Sequence, residues 1–218
     1  TCRFHPPFFE HRYSLSYRNY ENCNLIEEIK HPSVRETLSF LNIDTGIDVH
    51  YTGDLPGRSG MGSSSSFTVG LLNSLYALQG KIQSKHTLAT QSIYIEQKMI
   101  KEVVGSQDQV SAAYGGINHI RFFENAEIDV RPLTLSQERL KELNSYLMLF
   151  YTGIMRTAEA VAGSYVNGIE NKGKQLVLMK ELVNEAINIL CKEGPIDELG
   201  QLLHEAWSVK KSLSKNIS

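Results

Sequence analysis

Cysteine is scarce in this chain, with Cys2, Cys23 and Cys191 the only three in 218 residues. An odd number, so widely spaced, suggests neither a disulfide framework nor a zinc site, and a reduced, cytoplasmic setting is expected. Long apolar runs are also missing. None approaches the ~20 residues a membrane helix needs, so no membrane partner is expected. Positive charge is not in excess: 22 Lys and Arg stand against 24 Asp and Glu, a net charge of −2. That balance gives no general attraction to nucleic acid or anionic lipid. Internal repeats and low-complexity linkers are absent. His5, His11, His31 and His50 fit no metal-ligand spacing and read as surface or strand-face residues. The remaining composition is ordinary for a globular protein, and the length suits one or two domains with a substantial core.

One stretch stands out. Residues 55–66, Leu-Pro-Gly-Arg-Ser-Gly-Met-Gly-Ser-Ser-Ser-Ser, hold three glycines and five serines in twelve positions. Before it, Ile47, Val49 and Tyr51 alternate with Asp48, His50 and Thr52, which predicts a strand. After it, Thr68, Leu71, Leu72 and Leu75 follow helical spacing. A strand, a glycine-rich loop and a helix start make a plausible anion site. The first N–H groups of a helix lack internal partners and carry partial positive charge. A flexible loop capping an ordinary helix is the plainer reading. The loop is not a Walker A loop, because Ser63 rather than Lys follows Gly62.

The rest of the chain alternates strand and helix signals. Residues 2–5 and 13–17 read as strands, 19–24 as a polar loop, and Pro32 to Leu41 as a helix with Pro in its first turn. Ser84 is placed to cap the next helix. There Ala89, Ile93, Glu96, Ile100 and Val103 form one stripe. Read alone, Glu96 is a stripe-edge residue reaching solvent or an arginine, with metal ligation the sharper alternative. A short helix from Gln107, ended by Gly115 and Gly116, carries Asp108. The plain account of Asp108 is a first-turn acid favoured by the helix dipole. The functional account is a carboxylate aimed at a phosphate or hydroxyl. Strands are expected over 117–122 and 128–133, and Thr134 with Gln137 resembles a capping box. The apolar run Tyr146 to Tyr151 predicts a central strand. Helices are expected around 158–166, 176–190 and 199–213.

Pro56-x-x-x-Gly60-Met61-Gly62-Ser63-Ser64-Ser65-Ser66 resembles the phosphate loop of the GHMP kinases. Glu96 and the segment Gly105-Ser106-Gln107-Asp108-Gln109 follow in the family's order. Residues 60–73, 105–120 and 202–213 are most similar to the sugar 1-kinase branch, closest to the D-glycero-D-manno-heptose 7-phosphate kinases. The resemblance implies an α+β, two-domain GHMP kinase fold. An N-terminal domain like domain 2 of ribosomal protein S5 would span 1–133, and a ferredoxin-like C-terminal domain 134–218. The family's N-terminal substrate motif and C-terminal glycine-rich motif are not found, so the chain is expected to be incomplete at both termini.

The resemblance also implies roles. Pro56, Gly57, Gly60, Met61, Gly62, Ser63, Ser64, Ser65 and Ser66 would bind ATP, and Ser64 with Glu96 would hold Mg²⁺. Asp108 would act as catalytic base or orienter at the acceptor hydroxyl, with Arg156 a candidate for a substrate phosphate; Lys210 and Lys211 are weaker candidates. The implied partners are ATP and a sugar phosphate, and a homodimer is compatible with them. The implied activity is transfer of the γ-phosphoryl group to an anomeric hydroxyl. Another sugar 1-kinase such as a galacto- or fucokinase, a non-catalytic nucleotide and sugar binder, or an inactive fragment remain alternatives.

Overall fold

A computed structural model describes residues 1–54, 60–151, 153, 172–192 and 194–213. Pro56, Gly57, Arg156 and the helix expected around 158–166 lie outside the described residues. The chain divides into two compact units, one over Thr1–Gly115 and the other beginning at Gly116.

The first unit is built on a four-stranded sheet. Its strands are β1 (Cys2–Phe4), β2 (Tyr13–Ser16), β3 (Tyr20–Cys23) and β4 (Ile47–His50), in spatial order β1-β4-β2-β3. β4 runs antiparallel to β1 and parallel to β2, with Tyr13 beside Ile47 and Leu15 beside Val49. Those four side chains are buried with Val34 and Leu38 of helix α1 (Pro32–Phe40) and Leu71 and Leu75 of helix α2 (Ser63–Leu78). Helix α2 has a second buried face. Its Val69, Leu72 and Tyr76 pack with Leu88 of α3 (Lys85–Tyr94), Ile95 of the following π turn (Ile95–Met99), and Ala112 and Ala113 of α4 (Gln107–Tyr114). A helix apolar on two sides belongs inside a layered unit, and α2 is that inner helix.

Several expectations change. Residues 20–23 form β3 rather than a loop. The strand is polar because it lies at the sheet edge; its Glu21 accepts from the Tyr17 hydroxyl and, at 2.7 Å, from the Lys30 backbone N–H. Asp48 lies on the face of β4 read as polar, yet it is 2% exposed. Arg3 Nε donates to it at 2.7 Å and His5 Nδ1 bonds its other oxygen. His5 is therefore a buried partner of Asp48 rather than a surface residue. His31 is half-buried, packed against the Tyr17 and Phe67 rings. Burial holds its imidazole below the usual histidine range.

Two predicted caps meet different outcomes. Ser84 accepts from the Thr87 N–H at 3.0 Å, as expected. At the start of α5 (Gln137–Tyr146) the cap is Ser136, accepting from the Arg139 N–H at 3.1 Å, and not Thr134. The single stripe through Val103 also fails. α3 ends at Tyr94, the chain widens into the π turn, and Lys101 takes a left-handed φ of 66°, which leaves Val103 exposed.

The second unit contains the hairpin β5 (Asn118–Phe122) and β6 (Ile128–Pro132), then α5, α6 (Gly173–Cys191) and α7 (Glu198–Leu213). Leu182, Leu199 and Leu202 form its buried centre, with Leu143 and Ala186 against them. Arg139 of α5 donates to the carbonyls of Ile189, Leu190 and Gly194, placing a cation on the negative end of α6. Residues 147–151 do not form the predicted central strand. They pair with no strand among the described residues, and Met148 is 79% exposed.

Gly46 controls the turn into β4. A Cβ there would lie 2.7 Å from the Arg12 carbonyl oxygen, the same oxygen that accepts from the Ile47 N–H. The obstacle is backbone and cannot rotate away. Gly46→Ala should destabilise the first unit by about 1–3 kcal/mol, seen as faster amide exchange in β2 and β4. Unchanged exchange would show that the turn tolerates a methyl group.

Candidate functional site

The site lies entirely within the first unit and begins at the N-terminus of α2. Gly60 and Gly62 have φ of 78° and 68°, a region L side chains enter at a cost. This left-handed turn delivers the chain into α2, and the Ser66 N–H makes the first helical bond, to the Gly62 carbonyl at 2.9 Å. The preceding N–H groups of Ser63, Ser64 and Ser65 are the donors that a helix start leaves without intrahelical partners. Among the described residues no side chain caps this end. The positive end of a 16-residue helix therefore faces outward at the serines.

Helix α4 forms the opposite wall. A pocket of about 410 Å³ is lined by Gly60, Met61, Gly62 and Ser66 from the loop and by Asp108, Ser111 and Ala112 from α4. Asp108 sits in the first turn of α4, and a Cβ on Gly62 would lie 3.5 Å from its Cγ and Oδ2. The glycine lets the loop approach the carboxylate this closely.

Glu96 lies beneath. It is 1% exposed, which overturns the reading of a stripe-edge side chain reaching solvent or an arginine. The Ser65 hydroxyl donates to Glu96 Oε2 at 3.0 Å, and Gln109 Nε2 donates to the same oxygen. Glu96 Oε1 is buried without a partner among the described residues. Burial raises the carboxyl above the ordinary glutamate range, the donors Thr68, Gln109 and Ser65 pull it back, and the charge of Asp108 raises it further. No salt bridge among the described residues engages either carboxylate.

The structure thus brings together Gly60, Met61, Gly62, the four serines, Glu96 and Asp108. Ser64 is exposed, and the serine touching Glu96 is its neighbour Ser65. Sequence reasoning missed Gln109 and Ser111. A signal for Gln109 existed: it precedes Ala112 and Ala113 by three and four residues, placing it on the apolar side of α4.

A protein-family model described as the N-terminal domain of GHMP kinases matches residues 24–116. That span includes the loop, Glu96 and Asp108. Over those residues the chain is similar to the N-terminal domain of the GHMP kinases. Among curated proteins, the D-glycero-alpha-D-manno-heptose 7-phosphate kinase of Campylobacter jejuni is 28% identical over 172 residues, 78% of this chain and 50% of that protein. The bifunctional fucokinase/GDP-fucose pyrophosphorylase of Arabidopsis thaliana is 26% identical over 80% of this chain and 17% of its own length. The chain therefore spans half or less of these two relatives. A crystal structure titled a D-glycero-D-manno-heptose 1-phosphate kinase from Bacteroides thetaiotaomicron matches with a TM-score of 0.75 at 19% identity, covering 97% of this chain and 67% of that one. The mixed α and β fold is that of the GHMP kinases.

The raised Glu96 carboxyl has a consequence for stability. An unfolded glutamate titrates near 4.5. Between that pH and the raised folded value, the native state keeps a proton that the unfolded chain has lost, so stability falls as pH rises through the window. Glu96→Gln removes that cost. Its stability relative to the parent should increase from pH 4 upward and then level, with a gain on the order of 1 kcal/mol across each pH interval of ~1 inside the window. Urea unfolding of the ligand-free protein between pH 4 and 8 checks this. A pH-independent difference would mean that Glu96 titrates as it does in the unfolded chain.

Proposed function

We propose that this chain is the nucleotide- and acceptor-binding part of a sugar 1-kinase, transferring the γ-phosphoryl group of ATP to an anomeric hydroxyl. The observation that supports it best is the opposition of two chemistries across one pocket. The donor-rich start of α2 suits the phosphates, and the Asp108 carboxylate opposite suits a hydroxyl to be oriented or deprotonated. Phosphoryl transfer needs positioning and charge stabilisation more than covalent chemistry, and a helix N-terminus beside a fixed carboxylate offers both.

In this reading the backbone from Gly60 to Ser66 binds the ATP phosphates, and Pro56 and Gly57 are assigned to ATP with it. Glu96 fits Mg²⁺, because its buried Oε1 has no protein partner and Mg²⁺ favours few carboxylates plus phosphate and water. Ser64, exposed at the helix start, is the hydroxyl assigned to the same ion. When bound, Mg²⁺ would neutralise charge on the β- and γ-phosphates. Asp108 receives or orients the proton of the acceptor hydroxyl. Arg156 remains the candidate for an acceptor phosphate. The domain assignment of 1–133 and 134–218 and a cytoplasmic location complete the reading. No helix among the described residues is long and apolar enough to cross a membrane.

D-glycero-D-manno-heptose 7-phosphate is the acceptor favoured, on the Campylobacter jejuni relative. Fucose is the second, on the relative named a fucokinase. Phosphate transfer from ATP to each sugar by the full chain tests the proposal. Asp108→Ala should lower the rate by about 10²–10⁴-fold, the usual share of a positioned acid–base group. Equal rates in variant and parent would remove Asp108 from the chemistry, and absence of transfer to either sugar would reject both acceptors.

A further inference from the structure

Gln109 is 1% exposed on the apolar side of α4, beside the fully buried Val110. Ala112 and Ala113 on the same side pack against the Val69–Leu72 cluster. By packing alone, leucine or methionine would serve here. The glutamine is also imperfectly satisfied: its Nε2 donates to Glu96 Oε2, while its own Oε1 is buried without a partner. Leaving a buried acceptor unpaired costs about 1–3 kcal/mol. Turning the amide over would pair Oε1 poorly, since it would face a carboxylate oxygen. The side chain is therefore oriented for one purpose, the bond to Glu96, at a cost to stability.

Two further ties surround that bond. Ser65 donates to the same Oε2 from the first turn of α2. Gln97, next to Glu96 in the π turn, donates to the Val104 carbonyl at 3.0 Å and to the Ser106 hydroxyl at 3.2 Å, fixing the approach to α4. Thr68 also pulls the carboxyl toward its charged form; with Oε2 engaged by Ser65 and Gln109, Oε1 is the oxygen that no hydrogen bond among the described residues reaches.

We propose that Gln109 is a positioning residue: its amide locks Glu96 Oε2 together with Ser65, so that Oε1 is presented to the divalent cation of a bound nucleotide, and it holds Asp108, its neighbour on α4, at the pocket. This rests on the kinase reading. Gln109 touches no substrate; it acts through Glu96 and through the placement of α4.

Ligand-induced thermal shifts of the full chain, measured with ATP in EDTA and with ATP plus Mg²⁺, test it without relying on turnover. The parent should shift further with Mg²⁺ than without. Gln109→Leu keeps the volume and removes the donor. It should retain the shift with ATP alone, lose the added Mg²⁺ increment, and bind Mg²⁺ about 10–100-fold more weakly, as loss of an outer-shell partner does. The exchanged pair Glu96→Gln with Gln109→Glu keeps a hydrogen bond between the two positions but moves the carboxylate. It should restore the melting temperature of the ligand-free protein without restoring the increment, which a purely structural role does not predict. An intact Mg²⁺ increment in Gln109→Leu, or its return in the exchanged pair, overturns the proposal. A parent that responds to neither ATP nor MgATP overturns the kinase reading and the role of Gln109 with it, and is distinguishable because in the other cases the parent responds.

Discussion

A buried carboxylate bound only by neutral side chains joins the elements of this site. Glu96 receives one hydrogen bond from the first turn of α2 and one from the first turn of α4. Neither helix start is otherwise tied to the other by a polar contact among the described residues. A carboxylate held this way is costly, because neutral donors do not replace its hydration. Its position is nonetheless set by covalent geometry. The π turn widens the helix just where Glu96 occurs, and widened turns of this kind are frequent at functional sites. The same turn sends Gln97 toward Val104 and Ser106, so one local irregularity fixes both Glu96 and the segment that leads into α4.

Helix α2 supplies the rigidity behind the pocket. It is buried against the sheet through Leu71 and Leu75 and against α3 and α4 through Val69, Leu72 and Tyr76. Packing on two sides holds its axis, and hence the direction of its N-terminal donors, without a capping side chain among the described residues. A capping serine or aspartate at Gly62 would satisfy the orphan N–H groups internally and remove them from service to a ligand. Glycine at that position keeps the donors available and leaves room for Asp108.

Much of this was legible in the chain. Periodicity located the strand before the loop, the buried stripe of α2, the Ser84 cap and the glycine stop of α4, because each rests on local spacing or a local hydrogen bond. What was not legible depended on distant partners. Asp48 looked like the solvent side of a strand until Arg3 and His5 closed over it. Residues 20–23 looked like loop because an edge strand needs little apolar surface. Glu96 looked like a stripe-edge residue because a straight helix does not reveal a π turn. Residues 147–151 show the reverse error. Their composition suits a central strand, but a strand exists only where another pairs with it, and among the described residues none does.

Electrostatics link these details to the proposed chemistry. The start of α2 is a positive dipole end, and Glu96 and Asp108 are two acids close enough for one to raise the other's proton affinity. An anion alone would be drawn to the helix and repelled by the acids; a cation alone would experience the opposite. A polyphosphate carrying its own divalent cation would satisfy both, the helix start suiting its phosphates and a carboxylate suiting its cation. In the proposed reading Asp108, on the pocket wall, is the carboxylate left for the acceptor hydroxyl, whereas Glu96 is buried. Burial separates the two acids: Glu96 is enclosed and its carboxyl raised, whereas Asp108 lines the pocket.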